Sequence, residues 1–216
     1  MKRIQNNLLY LYFFSINFEL WDPFNTGIDF LITKVTVILY LLSTIFNLKF
    51  FYSAKNIGKF LYPIWILFFL LLFMNYKNKS TYYSEILNLP FLLNILVMQA
   101  SINHSKRYSN ILLNGLFIFS ISSIVLTMLF IFNIQTSYLD GRVTVFGINQ
   151  NELGIRLCIS IFVLLINLRI KYIYSSRIKI ISLISLPFLF VFLIDTGSRV
   201  AFLSLAIGII VYFILN

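Results

Sequence analysis

The feature that most constrains this chain is a close succession of apolar runs, most of them long enough to cross a bilayer as a helix, separated by short polar segments. A bilayer core of about 30 Å takes roughly 20 helical residues, or about 17 for a short span. Such runs lie at residues 5–20, 29–50, 60–74, 84–103, 110–133, 151–168, 180–195 and 200–216. The first, third and seventh are short, which implies tilt or local thinning of the bilayer. The runs are unbroken, whereas barrel strands alternate apolar and polar residues over about ten positions, so strands are not expected. The expected fold is all-α: a polytopic membrane helix bundle of about eight transmembrane helices, one domain over 1–216. Composition agrees. With 60% hydrophobic and only 11% charged residues, too little polar surface is available to cover a water-soluble domain. The 24 Phe and 13 Tyr suit a lipid-facing surface with aromatic belts at its edges.

Loop charges set the orientation, because basic residues gather on the cytoplasmic side. With the N-terminus cytoplasmic, eleven Lys and Arg fall inside, from Lys2 and Arg3 to Arg177 and Lys179, and four fall outside: Lys77, Lys79, Arg142 and Arg199. Lys34 and Arg156 lie within spans. The acids agree independently, since Glu19, Asp22, Asp29, Glu85, Asp140, Glu152 and Asp195 all sit on outer loops or outer helix ends. The net charge of +10 does not signal nucleic acid, because the cations are scattered through short loops and build no continuous basic face. Met1-Lys2-Arg3 followed by apolar residues resembles a signal peptide. The bulky Asn17-Phe18-Glu19-Leu20-Trp21 offers no cleavage site, so a retained first helix is expected.

Several kinds of chemistry are missing. The single Cys158 lies in an apolar run and supports neither a disulfide framework nor a thiolate metal site. No His/Cys/Asp/Glu cluster has metal spacing, and no Gly-rich phosphate loop follows a strand, so no metal or cofactor is expected. His104, in Asn103-His104-Ser105-Lys106-Arg107, is expected to be a solvated cytoplasmic loop residue. Asp22 and Asp29 read as solvated loop or helix-start residues, and Trp21, Tyr82 and Tyr83 as interface anchors. Pro90 and Pro187, inside their runs, are positions where a helix could kink.

Three arginines depart from the charge pattern. Arg142 lies in the longest outer loop, 134–150, and Arg199 in the tight outer turn Asp195-Thr196-Gly197-Ser198-Arg199. Arg156 lies about one turn into the sixth span. Each has a bland reading as an interfacial cation paired with Asp140, Asp195 or Glu152 respectively; Glu152 and Arg156 are at helical i,i+4 spacing. The sharper reading rests on the guanidinium fork, which binds phosphate through two parallel hydrogen bonds. Two or three arginines at the outer interface would suit a lipid-linked pyrophosphate. Ser198 would add a hydroxyl at the helix start, where free N–H groups attract anions.

Gly141-Arg142, then Gly147 and Asn151-Glu152-Leu153-Gly154 at a helix entry, with Thr196-Gly197-Ser198-Arg199 leading into a long apolar helix, resemble the O-antigen ligase and O-antigen polymerase family. The resemblance implies a bacterial inner-membrane glycosyltransferase acting on undecaprenyl-diphosphate-linked glycan at the periplasmic face, in lipopolysaccharide or capsule synthesis. Transfer would be inverting, without nucleotide sugar or metal, and other polysaccharide-assembly membrane proteins would be partners. By resemblance Arg142 and Arg199 hold the donor pyrophosphate, with Ser198 beside them and Arg156 as an additional candidate. Polymerase is the favoured reading and ligase the alternative. A lipid-linked oligosaccharide flippase and a non-catalytic scaffold are readings from other classes. Family members carry about twelve spans and a late outer loop bearing a histidine. This sequence ends inside its eighth span, so the expectation is an incomplete member, with its catalytic residues unknown and no transferase activity alone.

Overall fold

The computed structural model describes residues 2–21, 32–45, 64–70, 72–73, 89–107, 110–134, 136–139, 141–169 and 176–214. The chain is mainly helical. In order, the elements are α1 (Lys2–Ser15), a 3-10 turn (Ile16–Phe18), α2 (Ile32–Ile45), α3 (Leu89–Arg107), α4 (Ile111–Ile131), β1 (Thr136–Leu139), β2 (Arg142–Val145), α5 (Gln150–Arg169), α6 (Ser176–Asp195) and α7 (Arg199–Ile214). Residues 64–70 and 72–73 are also helical. Among the described residues, three helices are long and apolar enough to cross a membrane: Ile111–Ile131, Gln150–Arg169 and Ile178–Asp195. Ile32–Thr44, Leu92–Ile102 and Arg199–Tyr212 are apolar but shorter. The expected count of eight spans is thus finer than these helices establish. The boundary residues Asp22, Asp29, Tyr82, Tyr83, Glu85 and Asp140 lie outside the described residues.

The all-α expectation needs one correction. β1 and β2 form an antiparallel hairpin in which Thr136 pairs with Val145, Ser137 with Thr144, Tyr138 with Val143 and Leu139 with Arg142. Its two-residue connection is Asp140-Gly141, and Gly141 has φ +73°. Asp-Gly flanked by β-branched and aromatic residues favours a tight hairpin, and four-residue strands need not span anything. A cross-strand Ser137–Thr144 hydroxyl contact of 2.6 Å adds to the pairing.

The chain divides into two compact units: Met1–Tyr12 with Ile32–Asn114, and Phe13–Leu31 with Gly115–Asn216. In the first, α2 packs on α3. Gln5 donates to the carbonyl of Ser43 at 2.7 Å. His104, expected in solvent, is instead fully buried within α3, where its Nδ1 lies 3.3 Å from the Tyr40 hydroxyl and the two rings stack. Helix α3 runs on to Arg107, past the expected end at 103, and carries the imidazole with it.

In the second unit α5 is the central helix. Leu153, Leu157, Ile161 and Leu164 recur at intervals of three and four and are fully buried, so one face of α5 meets its neighbours along its whole length. Leu189, Phe192 and Leu193 of α6, Leu126 of α4, Ala201 of α7 and Val143 and Val145 of β2 complete this core. A buried polar chain crosses it. Asn17 Nδ2 donates to Ser122 Oγ (2.6 Å) and Ser123 Oγ (2.8 Å), Ser123 Oγ meets Ser160 Oγ (2.7 Å), and Ser160 Oγ donates to the Arg156 carbonyl (3.0 Å). The group thereby joins the 3-10 turn, α4 and α5. Pro187 sits inside α6, where it withholds one N–H from the helix ladder.

Candidate functional site

The two sequence segments singled out by their arginines meet at one end of the second unit. Helix α6 ends with Thr196 N–H bonding to the Phe192 carbonyl and Gly197 N–H to the Ile194 carbonyl. Gly197 takes φ +61°, the left-handed conformation that closes many helix C-termini and that glycine adopts without a Cβ penalty. Ser198 then starts α7. Its Oγ accepts from Ala201 N–H at 3.3 Å and its carbonyl accepts from Phe202 N–H at 3.2 Å, the pattern of an N-cap. Arg199 is therefore the first residue of α7, and it is exposed.

Arg142 opens β2 and lies against this turn. A Cβ built on Gly197 would stand 3.2 Å from both Cγ and Cδ of Arg142 and 3.3 Å from its Nε. The glycine thus serves the turn and also leaves room for the arginine stem. Arg142 is exposed overall. Among the described residues, ion pairs involve Arg156 and not Arg142 or Arg199; in particular, Asp195 does not pair with Arg199.

The entry to α5 completes the arrangement. Val145-Phe146-Gly147-Ile148 is a turn closed by Ile148 N–H to the Val145 carbonyl at 3.0 Å, and both central residues have positive φ (56° and 73°), as in a type I′ turn. Positive φ is costly for a ring-bearing residue such as Phe146. Its ring packs 6.0 Å from Phe18 and 5.8 Å from Trp21, contacts that hold the conformation. Asn149 caps α5 through Oδ1, which accepts from Asn151 N–H at 2.9 Å. One turn later Gly154 passes close to the start of α7. A Cβ there would be 2.6 Å from Ser198 Cβ and 2.9 Å from Ala201 Cβ. Gly154, Gly197, Ser198 and Arg142 thus form one contact set drawn from α5, the α6–α7 turn and β2.

Arg156 and Ser198 stand behind this surface. Ser198 is fully buried, with its hydroxyl capping α7. Arg156 is 7% exposed. Its guanidinium donates to the Ile16 carbonyl, to Glu152, and to Glu19 at 3.2 Å. The Glu152 pairing matches the i,i+4 spacing, while the Glu19 and Ile16 contacts carry no local sequence signal. Of the four candidates, Arg142 and Arg199 are presented outward, and Arg156 and Ser198 are built into the support. Gly154 and Gly197 stand in the motifs singled out from the sequence, but their close contacts with Ser198 and Arg142 are not legible there, and Phe146 carries no sequence signal. No family model, curated protein or solved structure matches this chain.

Proposed function

We propose that this chain is a multi-pass bacterial inner-membrane protein of about eight spans with a cytoplasmic N-terminus. On this reading Arg142 and Arg199 bind the diphosphate of an undecaprenyl-diphosphate-linked oligosaccharide at the periplasmic face. The reaction is polymerase-like extension of a surface polysaccharide. Ligation to a different acceptor uses the same donor site, so the two activities differ in what receives the glycan. The observation that carries the reading is the seating of the Arg142 stem over Gly197, two residues before Arg199, with neither guanidinium in an ion pair among the described residues. Two outward cations at a helix start suit a diphosphate: each fork makes paired hydrogen bonds, and charge building on the departing diphosphate is neutralised. Arg156 and Ser198 contribute by fixing the start of α5 and of α7.

The test replaces Arg142 or Arg199 with Ala in cells that make the polysaccharide, reading glycan length and yield alongside membrane insertion. The expected result is loss of chain formation with insertion intact. Lys should restore only part of the function, because an ammonium lacks the fork. Unchanged glycan length and yield in Arg142→Ala would remove the donor-binding role.

A further inference from the structure

A second feature lies at the far end of α5, about 28 Å along the helix from its first residue. Phe162, Leu165, Ile166 and Leu168 of α5, with Ile209 and Tyr212 of α7, line a groove of about 320 Å³ that ends at Arg169. Gly208 leaves room for the Phe162 ring, since a Cβ there would come within 3.3 Å of it. At a share of about 30 Å³ per water molecule, the volume holds roughly ten water-sized groups. The walls are aliphatic and aromatic, so hydrocarbon suits the interior better than water. At the mouth the Arg169 guanidinium lies 5.2 Å from the Tyr212 ring centroid, and Arg169 is exposed.

From this we infer that the groove between α5 and α7 binds one acyl chain of an anionic phospholipid, whose headgroup phosphate meets Arg169. An apolar slot in line with a single cation matches the two halves of such a molecule. Stacking on Tyr212 holds the guanidinium at the mouth and leaves its N–H edge for phosphate. The inference rests on the membrane reading above but not on the diphosphate site, which lies at the other end of α5. It places Arg169 on the cytoplasmic side, where anionic lipids attract basic residues.

The probes are phosphatidylglycerol and phosphatidylcholine with identical acyl chains. They are titrated into the detergent-purified full chain and counted by native mass spectrometry. The wild type should prefer phosphatidylglycerol by roughly fivefold, the scale of one cation near an anionic headgroup. Arg169→Gln should bring that preference close to parity, weakening phosphatidylglycerol more than phosphatidylcholine, whose choline already offsets its phosphate charge. Leu165→Trp should fill the groove and weaken both lipids. Circular dichroism checks helicity, and Arg169→Gln, at an exposed position, keeps the test decisive if the tryptophan variant misfolds. Equal binding of the two lipids by wild type, or a preference that survives Arg169→Gln, overturns the inference. Extraction of the chain from membranes by alkaline carbonate would instead sink the membrane reading, a separate outcome.

Discussion

Replacing Gly154 with Ala puts a methyl group where α5 and α7 leave no space. The new carbon would lie 2.6 Å from Ser198 Cβ, 2.9 Å from Ala201 Cβ and 3.0 Å from Ser198 Oγ. Carbon atoms pack best at about 3.5–4.0 Å, so the overlap is about an ångström. Both opposing Cβ atoms are fixed to the α7 backbone, and no rotamer change relieves the contact. Overpacking of this kind costs about 1–3 kcal/mol, and the upper part of that range applies where backbone must move. Alanine recovers about 1 kcal/mol through its higher helix propensity. The net expectation is a loss of about 1–2 kcal/mol. Ser198→Gly removes two of the three clashing atoms and costs only a few tenths of a kcal/mol as an N-cap. Gly154→Ala and Ser198→Gly together should therefore be more stable than the sum of their single effects by about 1 kcal/mol. Reversible denaturation in mixed detergent micelles, followed by circular dichroism, measures all four members of the cycle. Additive effects, or a Gly154→Ala variant as stable as wild type, would show that α5 and α7 do not approach as described.

Four further outcomes follow from the same unit and the same assay. Arg156→Met should destabilise by about 1–3 kcal/mol through loss of three charge-assisted bonds. Glu152→Gln should cost under about 0.5 kcal/mol, because its side chain is half exposed and the pair is a local i,i+4 contact. Asn17→Ala should cost about 1–2 kcal/mol, given the modest worth of individual hydrogen bonds between membrane helices; an unchanged denaturation midpoint would deny the buried chain any role. Gly147→Ala meets no atom within 4 Å yet keeps a φ of +73°, so a loss of about 1–2 kcal/mol should come from backbone strain alone. A neutral result there would mean the turn is free to change conformation.

The sequence makes α4 to α7 legible because long apolar runs fold as helices, and the runs at 110–133, 151–168, 180–195 and 200–216 lie close to the observed helices, three of which are long enough to cross a membrane. The hairpin is too short to show in apolar runs of membrane-spanning length, although Asp140-Gly141 between β-formers is a usable turn signal. Glu152 and Arg156 were readable as partners because four residues make a helical turn. Glu19, 137 positions away, was not. His104 was misplaced for a related reason: its neighbours are polar, and the buried Tyr40 that receives it is 64 positions distant. The seating of Arg142 over Gly197 and of Gly154 against Ser198 is a matter of packing between separate elements. A glycine in sequence announces a position without a side chain, but not which neighbour takes the space.

The hydroxyl-and-amide chain from Asn17 through Ser123 to Ser160 bears on how the proposed membrane bundle assembles. In hydrocarbon these groups have no solvent to turn to, so a rotated or slipped α4 leaves at least one of them stranded. Greasy faces alone tolerate sliding, since one aliphatic contact substitutes for another. A short row of hydroxyls does not, and it selects a single rotational setting for α4 against α5.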